Sequence, residues 1–247
     1  MHHPISAQHY IEPDILLVHK PVGMSSFDVI RRMRPILNTR KIGHAGTLDP
    51  LAHGLMILGI NGGTKKMTQY LKLPKTYIAD VVIGKSTTTG DAEGEIVNEK
   101  YVEKVDMKKR DIEDAVASLV GTHTLAVPLY SAIKVQGKAL YAYAREGKTP
   151  PYIPEKEMTI SQVQLLDDYR SGEHHVIKLR LDVSSGSYIR TLGELFGKNM
   201  GYPASLKGLY RVSIGDYLDQ DAYHFEKRNS SQPNIFRAII GLLFGKR

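Results

Sequence analysis

The stretch HVIKLRLDV at 175–183 alternates Ile177, Leu179, Leu181 and Val183 with Lys178, Arg180 and Asp182. A period of two puts the apolar set on one face and the charges on the other, which is the pattern of a strand with one covered face. Such a strand demands neighbours and a covering layer. TYIADVVIG at 76–84 offers a second strand, with Tyr77, Ala79, Val81 and Ile83 on one face, and ILLV at 15–18 and LMILGI at 55–60 read as buried apolar strands. Helical spacing predicts a helix after Ser25 or Ser26 carrying Val29, Ile30, Met33, Ile36 and Leu37, weakened near its end by Pro35. Further helices are expected at 109–120, from Ile112, Ala115, Val116 and Leu119, and at 191–200, which Gly201 would end. No fixed-period repeat occurs, and strands and helices alternate irregularly. That order argues for an α+β fold with a mixed or antiparallel sheet over a strict βαβ series. The 247 residues, 42% of them hydrophobic, suit one fairly large domain or a domain with an appendage.

Lysine and arginine total 33 against 26 acidic residues, a formal charge of +7 that suggests an anionic partner, nucleic acid first. The absence of cysteine removes disulfides, thiolate nucleophiles, iron–sulfur clusters and cysteine-rich zinc sites, and fits a reducing compartment. The first residues, MHHPISAQHYIEPD, lack the basic start and apolar core of a secretory signal, and no apolar run reaches transmembrane length, so the expected location is cytoplasmic.

GINGGTKK at 59–66 lacks the Gly-Lys-Ser/Thr of a phosphate loop and reads as a turn. His44 and His53 have no recognised metal-ligand spacing, so no metal is expected, and neither a Gly-x-Ser-x-Gly elbow nor a cofactor motif is present. What remains is KIGHAGTLDPLAHG at 41–54, a glycine-punctuated loop with one carboxylate, Asp49. Asp49 either makes an Asp-Pro turn or does chemistry, since a carboxylate can attack an electrophilic carbon or remove a proton without a metal. An arginine would hold it ionised, and Tyr188 and Arg190 share a face if SSGSYIRTL continues as a strand, although Arg190 could equally pair with any surface acid. YSAIKVQGKALYAYAREGKTPPYIPEK at 130–156 interleaves basic groups with aromatic rings. It suits RNA phosphates and unstacked bases, or else a solvated amphipathic helix with a proline-rich loop. NIFRAIIGLLFGKR, at the end, reads as a helix docked on the domain's core or as an interfacial membrane helix.

The ordered set LLVHKPVGMSS, GHAGTLDPLAHG, LPKTYIADVVIG, TGDAEGEI, PLYSAIKVQGKALYAYAREG and SGSYIRTLGELFG, over roughly 14–215, resembles the bacterial TruB-like tRNA pseudouridine synthases. The resemblance implies a pseudouridine synthase fold, with a central mixed, mostly antiparallel sheet flanked by helices. It implies a catalytic domain over 1–215 with an RNA-gripping insertion at about 130–158, and a short basic tail at 216–247. The implied reaction turns the uridine at position 55, in the TΨC loop of tRNA, into pseudouridine: the N1–C1′ bond breaks, the flipped base rotates, and C5 joins C1′. Asp49 is then the essential carboxylate, Arg190 its partner, and Tyr77 the tyrosine that packs on the base. His44 would support the flipped nucleotide, Lys20 would frame the pocket, and Tyr188 and Leu209 would line it. Lys134, Lys138 and Arg145 are the implied phosphate contacts, and Asp91 and Arg211 complete the substrate-binding set.

Thr88 stands where the family often carries an aspartate. Only about 30 residues follow the catalytic motifs, so the PUA RNA-binding domain of many members is expected to be absent or replaced by the tail. No cofactor, metal, membrane or obligatory protein partner is implied, and a monomer is expected. Three other roles fit the sequence: an RNA chaperone that needs no chemistry at Asp49, a guide-RNA-dependent synthase, and a membrane-surface protein driven by its tail.

Overall fold

Residues 5–102 and 108–225 are described in a computed structural model of the chain. They run β1 (Tyr10–Glu12), β2 (Ile15–Lys20), α1 (Ser26–Ile36), β3 (Ile42–His44), β4 (Ala52–Ile60), α2 (Met67–Leu71), β5 (Lys75–Ile83), β6 (Lys85–Thr87) and β7 (Ile96–Glu99). Next come α3 (Lys109–Ser118), β8 (Gly121–Ala126), β9 (Lys134–Val135), β10 (Lys138–Ala139), α4 (Leu140–Arg145), β11 (Glu155–Ser171) and β12 (His174–Val183). The order ends with α5 (Ile189–Asn199), β13 (Ala204–Ile214), β14 (Tyr217–Leu218) and β15 (Tyr223–His224). The class is α+β, as expected, and the chain divides into two units, one of residues up to 73 with those from 211, the other of residues 74–210.

In the first unit β4 pairs antiparallel with β2 and with β3, β1 extends β2 on its far side, and β15 pairs parallel with β2. Residues 217–224, assigned to the tail from sequence, are thus strands and a turn of this unit. The expected C-terminal helix at 234–247 lies outside the described residues. Ile15, Leu17, Leu55 and Ile57 form the core with Ala45, Met67, Tyr70, Ile214 and Ala222. Full burial of such aliphatic side chains stabilises by about 1.5–3 kcal/mol each. Helix α1 is capped by Ser25, one of the two expected candidates: the Ser25 hydroxyl accepts from Asp28 N at 3.1 Å, and the Asp28 carboxylate accepts from Ser25 N at 2.9 Å. It buries Val29, Ile30 and Met33 and stops just after Pro35. Of the stretch 59–66, expected as a turn, Gly59 and Ile60 finish β4 and Asn61–Lys66 form two turns of 3₁₀ helix. A Cβ on Gly59 would stand 2.6 Å from the Gly63 carbonyl, and one on Gly63 2.3 Å from the Asp14 carbonyl, so these glycines serve close backbone packing.

In the second unit β5, β12, β11 and β8 follow one another, all antiparallel. Tyr77 faces Leu181 and Val81 faces Ile177 across β5 and β12, so the two alternating patterns read from sequence lie in register. Helix α5 buries Ile189, Leu192 and Phe196, and Gly193 lets it approach Leu206. The excursion at 130–156 carries a two-strand pairing of β9 with β10 and the single helix α4, anchored by the small cluster of Val127, Val135 and Leu140. Two expectations change here. SSGSYIRTL does not continue as a strand, because Tyr188 is the N-cap of α5, so Tyr188 and Arg190 do not share a strand face. The 17-residue strand β11, like β8 and β13, has no counterpart in the sequence reading.

Candidate active site

Asp49 sits in the loop between β3 and β4, half-buried, in the first unit. Its neighbours in sequence are fixed by three buried side chains that reach the loop's own backbone. Ser26, at the start of α1, accepts from Leu48 N at 2.8 Å and donates to Leu48 O at 3.1 Å. Lys20 is fully buried and its Nζ donates to Met24 O at 2.5 Å, to Pro21 O at 3.1 Å and to Pro50 O at 3.4 Å, while Gly23 N adds a 2.8 Å bond to Pro50 O. Arg211 is 1% exposed; its Nε donates to Leu55 O at 2.7 Å, its Nη2 to Gly46 O at 3.3 Å and its Nη1 to Thr47 O at 3.4 Å. Behind Asp49, Ala52 N returns a 3.0 Å bond to Asp49 O, closing the Asp-Pro turn.

A loop normally leaves its carbonyls to water. Here residues 46, 47, 48 and 50 spend theirs on buried donors, so the carboxylate stands on a backbone held from both sides. Gly46 has φ +100°, a conformation that favours glycine. The two readings of Asp49 are therefore compatible, since it does make the turn and the turn is what presents it. His44, at the end of β3, is pushed towards the neutral form by burial first, against a hydrogen bond with the Gly46 backbone, and further by the Arg211 charge. A neutral imidazole stacks or accepts without adding charge near the loop.

In the second unit Tyr77 is buried on β5. Arg190, in the first turn of α5 and 6% exposed, donates to Thr89 O at 2.8 Å and Tyr130 O at 2.9 Å, and its Nε lies 3.8 Å from the Asp91 carboxylate. Asp91 is 2% exposed and accepts from Thr89 Oγ1 at 2.5 Å and Glu93 N at 3.1 Å. Arg190 is thereby tied to the turn at 87–91 and to the residue that opens the excursion. Thr88, the departure from the family pattern, closes that turn through its backbone N to Glu95 O at 2.9 Å and its hydroxyl from Glu95 N at 3.1 Å.

Tyr188 packs on the Val127, Val135 and Leu140 cluster, which joins the excursion to the start of α5. Leu209 is buried on β13. Lys134 and Arg145 are exposed, Arg145 lying 5.4 Å from the centre of the Tyr141 ring. Lys138 is paired with Glu146 at 2.6 Å and lies over the Tyr143 ring.

The first unit thus gathers Lys20, His44, Asp49 and Arg211, and the second Tyr77, Asp91, Tyr188, Arg190 and the excursion. Lys20, Asp91 and Arg211 are buried and hydrogen-bonded to the protein itself. Ser26 belongs with them and was missed as a loop anchor, because the sequence offers it only as part of a helix cap. Among the described residues no helix is long and apolar enough to cross a membrane.

Comparison with known proteins gives a consistent result. The profile of the TruB family pseudouridylate synthase (N terminal domain) matches residues 34–189. The tRNA pseudouridine synthase B of Bacillus anthracis is 38% identical over 232 residues, covering 91% of this chain and 75% of that protein. That of Bacillus subtilis (strain 168) is 38% identical over 214 residues, covering 86% and 69%. Among solved structures, a Cbf5-Nop10-Gar1 complex aligns with a TM-score of 0.63 at 22% identity, covering 85% of this chain and 52% of the matched chain. An H/ACA RNP bound to a substrate RNA containing 2′-deoxyuridine aligns at 0.60 and 19%, covering 85% and 50%. At those identities, and with this chain spanning about half of each matched chain, the structural likeness concerns the fold.

Proposed function

The chain belongs to the TruB family of pseudouridylate synthases, and from that premise we propose that it isomerises the T-loop uridine of tRNA, at position 55, to pseudouridine. The observation that carries the reading is the backbone of residues 46–50, held by Ser26, Lys20 and Arg211 on both sides of Asp49. A reacting carboxylate gains from such fixation, because a displacement of about 1 Å can cost roughly 10²-fold in rate. In this reading Asp49 is the essential carboxylate, Arg190 its guanidinium partner, and Tyr77 stacks on the flipped base. His44, Tyr188 and Leu209 line the pocket. Lys20, Asp91 and Arg211 belong to the substrate-binding region by holding its backbone in place.

The N1–C1′ bond breaks, C5 bonds to C1′, the C5 proton leaves, and N1 takes up a proton, so atoms balance with no cofactor. Extruding the uridine costs a few kcal/mol of stacking, which the aromatic pocket offsets. Lys134, Lys138 and Arg145 face the tRNA backbone, and the purified chain acts alone as a monomer.

Single-turnover tritium release from a 5-tritiated-uridine tRNA transcript tests this, with wild type, Asp49→Asn, and a transcript lacking the T-loop uridine. Release that needs both the carboxylate and that uridine is expected, and Asp49→Asn should lose at least about 10³-fold while still binding tRNA. Wild type that binds tRNA and releases nothing would leave the chaperone role in its place.

A further inference from the structure

Apart from the Asp49 loop, the first unit brings three imidazoles and a carboxylate to one end of its core. His224 on β15 and His19 on β2 are direct partners in the parallel pairing, and their rings stack at 4.3 Å between centroids and 17° between planes. On the other side of β2, Leu55 of β4 is the partner of His19, so His53 stands diagonally next to it, with ring centroids 5.6 Å apart. Three adjacent strands therefore carry one histidine each in a row. Asp219, buried in the short turn before β15, sets its two carboxylate oxygens 2.9 and 2.8 Å from His19 Nδ1. One donor atom each from His19, Asp219 and His224 lie within 4.8 Å of one another.

We propose that His19, Asp219 and His224 bind one divalent first-row transition ion, zinc being the probe of choice, with His53 placed to join them. Two imidazoles and one carboxylate suit zinc, nickel or copper and not calcium or magnesium, which take oxygen ligands. Zinc ligands about 2.1 Å from the ion stand roughly 3.4 Å apart in a tetrahedron, so the present spread closes by side-chain rotation. His224 is exposed and can make that rotation, and its exposure gives the ion a way in. An ordinary ion pair would account for His19 and Asp219. It would not account for a second imidazole in register and a third across the next strand.

The ion would be structural, fastening β15 and the turn before it to β2. Ligands this far apart leave no local spacing in the sequence, His19 and Asp219 being 200 residues apart. The site is independent of the pseudouridine reading, and tritium release by chelator-treated protein keeps the two apart.

The test uses the full chain with His2→Ala and His3→Ala, which removes a competing ligand pair, after chelator treatment. Isothermal titration with zinc chloride should give one ion per chain, cobalt chloride should develop a visible absorption band, and zinc should raise the thermal midpoint. His224→Ala should weaken binding at least about tenfold and abolish the midpoint rise while leaving the metal-free midpoint unchanged. Asp219→Asn should weaken zinc binding similarly, whatever it does to stability. No stoichiometric binding, an unmoved midpoint in wild type, or zinc bound equally well by His224→Ala would overturn the proposal.

Discussion

The Asp49 loop and the excursion at 130–156 are both rich in turns and polar residues, yet they are held in opposite ways. Around Asp49 three buried polar side chains saturate the backbone. The excursion rests on three buried aliphatic residues and surface pairs such as Lys138 with Glu146. A group that meets a reacting carbon must be fixed, whereas cations that meet a polyanion gain little from rigidity and more from exposure. One region spends its polar groups inward, the other outward.

Removing the inward donors should have the larger effects. Arg211→Met strands the carbonyls of Leu55, Gly46 and Thr47, and a loss of roughly 3 kcal/mol is expected, read as a lower thermal midpoint, with tritium release down by about 10–100-fold. Arg211→Lys should recover part of both. If Arg211→Met keeps full activity, the clamp has no part in catalysis. Ser26→Ala loses both bonds to Leu48 and should cost about 1–2 kcal/mol, with a few-fold fall in kcat and KM unchanged. A change in KM alone would move Ser26 to substrate binding.

Outward changes should act on binding only. Lys134→Ala with Arg145→Ala should weaken tRNA binding by about tenfold and reduce the slope of log affinity against log salt by about 1–2, leaving single-turnover rate at saturation unchanged. An unchanged salt slope would remove the excursion from the RNA interface. The smallest effect concerns the cap that starts α1 and so places Ser26. Hydrogen bonds from the Ser25 side chain and backbone and from Arg31 pull the Asp28 carboxyl down to about 2. Because the folded value lies below the unfolded one, near 3.8, this stabilisation is complete above about pH 5 and is lost as pH falls through about 2. The stability difference between wild type and Asp28→Ala should vanish over that window, and a constant difference would mean that the cap is not its source.

Much of this was legible. The alternations at 76–84 and 175–183 became β5 and β12 in register, and the Ser25-Ser26 pair marked the start of α1 to within one residue. The strand β11 was hidden because only Met158 and Ile160 of its first half are deeply buried, and two irregularities, between Ile160 and Gln162 and between Leu165 and Asp167, break its parity. Asp49 was legible as a residue in a turn, but not its fixation. Nothing local in Lys20 or Arg211 tells whether a cation faces RNA or the protein's own carbonyls, since the partners of Arg211 are some 160 positions away.

That distance also sets a clock. Arg211 lies 164 residues beyond Thr47, whose carbonyl it holds, so at roughly 5–20 residues per second the ribosome needs about 8–30 s to deliver the clamp after the loop has been made. A nascent chain carries Asp49 throughout that interval without the arginine that steadies the neighbouring backbone, so the loop acquires its fixed geometry only after the strand bearing Arg211 has left the exit tunnel.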